Sequence, residues 1–298
     1  MAEKPAVRPD VAVGDGLRAV AGDILGEARA ILGNETKDDA ECVHDFRKAM
    51  KRWRALLRLL EPFLGDSARQ LRAQARDLAR GLSGARDAQS AIEAVEDLTD
   101  DKPKALSPRT IASIRGRLDA IRGSAEAAAL TDELRAQLLG AIDAAATTVA
   151  AWPLTEITFT GLARELTETY RAMRDDAPSG DWREVEPDVL HDLRSRVVAH
   201  RYQMELIEPL WPKFGKLWVA EAQRLRDRLG AFQDLSVLQG FTAPHHALAP
   251  WRSRLTPLIK VRQASHAKVA QRLAGRLLAE RPRAFRKRIE ALWKSGKR

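Results

Sequence analysis

Apolar residues recur along most of this chain at spacings of three and four, the period of a helix with one buried face. Read this way, the first half carries helices near 15–33, 38–61, 66–82, 85–98, 107–126 and 131–149. The second half carries them near 158–174, 186–208, 214–229, 232–241, 250–278 and 282–294. Ala, Leu, Arg and Glu dominate and β-branched residues are sparse, so propensity agrees with the pattern and the predicted class is all-α. Pro62 and Pro209 are expected to close their long helices, and Asp66 to cap the next one. Residues 102–104 and 175–180 read as loops, and residues 1–10 as a loose N-terminus.

The chain also resembles itself. Val43-His44-Asp45-Phe46-Arg47 returns 147 residues later as Leu190-His191-Asp192-Leu193-Arg194. The same ungapped shift carries Arg54 onto Arg201, Leu57 onto Met204, Glu61-Pro62 onto Glu208-Pro209, Leu82 onto Leu229 and Asp87 onto Asp234. A repeat at half the chain length predicts two copies of one helical unit, most simply two bundles related by a pseudo-twofold axis. The expected organisation is a first bundle over 11–150 and a second over 151–298, with the boundary near Trp152-Pro153.

Charge gives the helices a second meaning. The 298 residues hold 50 Lys and Arg against 41 Asp and Glu, a net charge of +9, which favours a polyanionic partner. At about 100° per residue, His44, Arg47, Lys48, Lys51, Arg54 and Arg58 share an arc of about 120°, with Arg52 just beyond it. Val43, Phe46, Ala49, Met50, Trp53, Leu56, Leu57 and Leu60 face the other way. No acid stands between Arg47 and Leu60 to offset the repulsion, as a merely solvated face would provide. The next helix aligns Arg69, Arg72, Arg76 and Arg80 within about 80°. If the two helices form a hairpin about Leu64-Gly65, their strips meet along one groove, and a 20-residue helix spans about 30 Å, enough for several phosphates.

These residues resemble the conserved histidine α-helical domain family, CHAD. The likeness rests on the doubled His-x-x-Arg entry into a long helix, His44 to Arg47 and His191 to Arg194. It also rests on Leu82-x-x-x-Arg86-Asp87 and Leu229-x-x-x-Gln233-Asp234, and it covers about residues 11–295. The resemblance implies a pair of four-helix bundles with accessory helices and a basic surface or channel that binds inorganic polyphosphate without catalysis. The CYTH catalytic domain that some members carry in front is not expected here. The phosphate-binding role passes by resemblance to His44, Arg47, Lys48, Lys51, Arg52, Arg54, His191, Arg194 and Arg201. The second copy departs from the pattern, with Ser195, Val198 and Ala199 matching Lys48, Lys51 and Arg52, and Glu205 facing the same side as Arg194. It is therefore expected to bind more weakly, helped by Lys213, Lys216, Arg224 and Arg228.

Several classes are set aside. A single Cys42 builds no internal disulfide framework and fits a reducing compartment, and no apolar run is long enough for a membrane span, so the cytoplasm is the expected location. The His-Asp pairs lack further converging ligands, so no metal, cofactor or catalytic residue is expected. His200 reads as a core histidine and His245-His246 as a loop. Two rivals stay open. One is nucleic-acid binding, disfavoured because aromatics are 5% and do not alternate with cations. The other is a helical interaction protein docked on storage granules, a partner also open to a polyphosphate binder.

Overall fold

The computed structural model describes residues 5–34, 36–82, 86–101, 105–126 and 130–296. The expected loop at 102–104, residues 1–4 of the expected loose terminus and residues 297–298 fall outside them. Among the described residues the chain forms eleven α-helices and no strand. They are α1 (Val13–Leu32), α2 (Asp39–Leu64), α3 (Asp66–Gly81), α4 (Arg86–Asp101), α5 (Pro108–Glu126), α6 (Asp132–Ala150), α7 (Phe159–Asp175), α8 (Pro187–Ile207), α9 (Pro212–Phe241), α10 (Arg252–Leu277) and α11 (Pro282–Gly296).

Local chemistry sets the framework of α2. Asp38 caps its start by accepting from the Glu41 amide at 2.7 Å, and Cys42, Phe46, Ala49, Met50, Trp53, Leu56, Leu57 and Leu60 are buried along one stripe. Pro62 does not end the helix but sits inside its last turn. The turn is made by Gly65, whose φ of 56° is open to a residue without Cβ, and this lets α3 fold back along α2. Asp66 is the first residue of α3 rather than its cap, and it pairs with Arg69. Residues 5–8 are not loose: Val7 is fully buried and its amide donates to the Leu206 carbonyl at 2.9 Å.

The repeats interlock. One apolar core runs through α1, α2, α3, α6, α7, α8, α9, α10 and α11, crossing Trp152, which stacks on Trp53 with ring centroids 5.8 Å apart. At Gly14 an added Cβ would lie 2.3 Å from the Leu154 carbonyl oxygen, so only glycine lets α1 approach the linker this closely. The corresponding helices α2 and α8 pack directly on each other through Ala55, Ala199 and Tyr202. A second core joins Val95 and Leu98 of α4 and Ile114 and Leu118 of α5 to Leu235 and Leu238 of α9 and Leu255 and Ile259 of α10. Thus α4 and α5 of the first repeat pack on the second. The predicted break at 230–231 is absent: α9 is one helix where the first repeat has α3 and α4.

A polar tie reinforces this crossing. Asp97 on α4 accepts from Arg262 on α10 at 2.6 and 2.8 Å and pairs with His266 at 2.8 Å. Burial alone would raise the Asp97 carboxyl, but these hydrogen bonds outweigh it and hold the group well below the usual carboxylate range. The stability it contributes is present above the unfolded value near 3.8 and is lost only in strong acid. Asp97→Asn is expected to cost about 2–3 kcal/mol at neutral pH, measurable by denaturant unfolding, because it weakens the bonds to the buried His266 and to Arg262, which keeps only its Asp101 ion pair at 2.7 Å.

Candidate anion-binding cavity

A cavity of about 1160 Å³ opens where the two repeats meet. The first repeat supplies His44, Arg47, Lys48 and Lys51 from α2, Arg86 and Gln89 from α4 and Arg122 from α5. The second supplies Arg194 and Arg201 from α8 and Arg226 from α9. Helical spacing explains the alignment: residues 47, 51 and 44 share one face of α2, while Gln223, Arg226, Asp227, Gly230 and Asp234 share one face of α9.

Three cations in this cavity, Lys51, Arg86 and Arg194, are partly buried yet make no hydrogen bond or ion pair among the described residues. The Arg194 Nε is fully buried without a partner. Burial, then the charges of Arg86, Arg194, Arg226 and Arg47, pushes the Lys51 ammonium down to about 7. Burial, then Arg226 and Arg86, brings Arg194 down to about 10. Lys48 and His44 stand exposed at the rim. Arg201 is held against Glu205 at 2.5 Å and stacks over the Tyr202 ring at 4.0 Å.

Carboxylates also enter. Asp38, Asp39, Glu93, Asp97, Asp227 and Asp234 line the same cavity, so acids stand around the cations even though none interrupts the basic face of α2 between Arg47 and Leu60. Asp234 is raised by burial, partly offset by the Ser90 hydroxyl; it feels Arg194 and Arg86 through space without bonding either.

The remaining predicted residues are placed elsewhere. Arg52 is buried on the α1 side, where Glu27 and Asp23 neutralise it. Arg54 and Arg58 lie beyond the cavity, in a second cluster with Arg72, Arg76 and Arg196 whose mutual repulsion, after burial, lowers both. Within that cluster Glu61 pairs with Arg72 at 2.6 Å, and Asp77 with Arg76 at 3.2 Å and, at its edge, with Arg80 at 3.8 Å. Arg69 pairs with Asp66 and Glu61. α3 thus folds back along α2 as expected, but its cations are largely charge-paired. His191, Lys213 and Lys216 are exposed outside the cavity, Arg224 pairs with Glu221 at 2.6 Å, and Arg228 reaches the buried His266 at 3.5 Å. His200 is a core residue as expected, its Nε2 accepting from the Trp218 indole at 2.9 Å. Arg86, Arg122 and Arg226 were missing from the predicted set. Arg86 stands in the Leu82-x-x-x-Arg86-Asp87 motif; the α9 face was signalled only by its i, i+3, i+4 run from Gln223 to Asp234.

Fold and site together define an all-α, internally repeated helical domain with a cationic cavity between its repeats. The chain belongs to the CHAD family, whose CHAD domain model matches residues 22–243. Among solved structures it is similar to PptA from Streptomyces chartreusis, with a TM-score of 0.60 and 17% identity over 90% of this chain and 99% of that one. It is also similar to the CHAD domain from the plant Ricinus communis, with a TM-score of 0.54 and 20% identity over 99% of this chain and 96% of that one. At these identities the likeness shows the fold. No curated protein matches.

Proposed function

We propose that the chain binds inorganic polyphosphate in the cavity between its repeats and does not hydrolyse it. The observation that carries this reading is the group Lys51, Arg86 and Arg194: cations from both repeats, partly buried, mutually repelling and unpaired. Removing such charges from water costs free energy unless an anion compensates them, and a phosphate chain supplies one charge per unit at close spacing. The family resemblance supports the same ligand. Nucleic acid fits less well because the lining offers Tyr202 as a stacking surface, and that ring is already buried under Arg201.

Titration calorimetry with long-chain polyphosphate, single-stranded DNA and ATP in competition tests the reading. Polyphosphate is expected to displace both others, and preference for DNA would overturn the assignment. No orthophosphate release is expected from polyphosphate or nucleoside triphosphates with magnesium, manganese or zinc. Among the described residues no three His, Cys, Asp or Glu stand together to hold a metal ion. Because acids do line the cavity, Asp234→Asn and His44→Ala are the controls: turnover that either variant removes would make the site catalytic.

A further inference from the structure

Arg47 and Arg194 occupy equivalent positions in the two repeats, but their surroundings differ. The Arg47 guanidinium donates through Nη1 to the carbonyls of Ala79 at 2.9 Å and Leu82 at 2.8 Å, at the C-terminal end of α3. Helix-end carbonyls lack intrahelical donors and carry the negative end of the helix dipole, so a cation there is stabilising. Arg194 finds no such carbonyls, because α9 runs unbroken through the region where α3 ends in the first repeat. It lies instead over Gly230, where an added Cβ would sit 3.5 Å from its Nε, and that nitrogen is orphaned.

We propose that the two equivalent arginines play different roles: Arg47 is a positioning residue that ties the end of α3 and so holds Arg86 in the cavity, while Arg194 takes the anion. Arg86 opens α4 four residues beyond Leu82, whose carbonyl Arg47 grips. Arg86 lines the cavity and its charge is felt at Arg47, Lys51, Arg194 and Asp234, so the start of α4 carries it to the centre of the site. The end of α3 thus makes a demand on Arg47 that the continuity of α9 does not make on Arg194. The anion-binding half of this inference rests on the polyphosphate reading; the structural half does not.

Opposite signs in stability test it. Arg47→Gln removes a helix-end partner and is expected to lower the melting temperature, whereas Arg194→Gln removes an unpaired buried charge and is expected to raise it. Both should weaken polyphosphate in calorimetric titration. A double-mutant cycle gives the readout that a purely structural role would not move: Arg86→Gln should cost about tenfold in affinity in the wild type and under about threefold once Arg47 is Gln. It should keep most of its cost in the Arg194→Gln background. If Arg47→Gln does not fold, Arg47→Lys, which keeps the charge but not the fork, should show the same signs in weaker form. A rise in melting temperature for Arg47→Gln, or equal Arg86→Gln costs in the wild-type and Arg47→Gln backgrounds, would overturn the division. A wild type that ignores polyphosphate would defeat the functional reading and the anion-taking role of Arg194, while the two melting shifts would still judge the structural half.

Discussion

Lys51→Met is expected to raise the melting temperature of the free chain by a few degrees near pH 6 while weakening polyphosphate about tenfold or more. The ammonium stands near 7 in the folded chain against 10.5 in the unfolded one, because burial and the charges of Arg86, Arg194, Arg226 and Arg47 oppose it. Below pH 7 both states hold the proton and the folded state bears the full penalty. Between about 7 and 10.5 the unfolded chain binds the additional proton, so the lysine's penalty fades as pH rises. The stabilisation by Met should therefore be largest at pH 6 and shrink toward pH 10. Binding runs the other way. A phosphate chain favours the charged lysine, so affinity should fall as pH rises from 6 to 9, and complex formation near pH 8 should take up a proton. Calorimetry in two buffers of different ionisation enthalpy measures that uptake, which Lys51→Met should remove. Affinity independent of pH over this range, or a melting temperature lowered by the substitution, would show that Lys51 is already satisfied within the fold.

The helices were readable because their apolar stripes are regular, and the repeat because Val43 to Asp87 returns without a gap. The face of α2 was readable for the same reason: angle along a helix follows from spacing alone, and His44, Arg47, Lys48 and Lys51 all reach the cavity. Angle does not say which neighbour covers a residue. Arg52, at the edge of the arc, meets Asp23 and Glu27 on α1, a pairing no local pattern announces. Arg86, Arg122 and Arg226 come from three helices that converge because α4 and α5 cross onto the second repeat, a tertiary fact invisible to periodicity. The same interlock removes the basis for ranking the two copies. Ser195, Val198 and Ala199 do leave α8 poorer in cations than α2, yet Arg194 shares one cavity with Lys51. Counting charges repeat by repeat divides a site that the fold unites.

That shared cavity leads to the largest expected loss. Reversing Arg86 and Arg194 together to Glu should weaken polyphosphate on the order of a hundredfold or more, because each change removes an uncompensated cation and adds a like charge to the ligand. Reversing Arg224 and Arg228 to Glu alters net charge by the same amount outside the cavity and should cost under about threefold. The pair of variants separates a localised site from a general electrostatic field, and equal losses would remove the cavity from the account. Salt dependence gives a second measure. Lys48, Lys51, Arg86 and Arg194 have no ion-pair partner among the described residues, so four neutralised contacts predict a log-log slope of about −3 at the value for flexible single strands. The Arg86/Arg194 reversal should flatten that slope, and the Arg224/Arg228 reversal should leave it nearly unchanged. Chain length completes the test: a polymer that fills the cavity can continue along α2 to Arg54 and Arg58, which stand beside Arg72, Arg76 and Arg196. Orthophosphate and pyrophosphate reach too few of these cations at once, so their affinity should fall far below that of chains of about ten units or more. Binding that is indifferent to length would mean that the cavity takes an isolated phosphate group, and polyphosphate would no longer be the ligand that explains it.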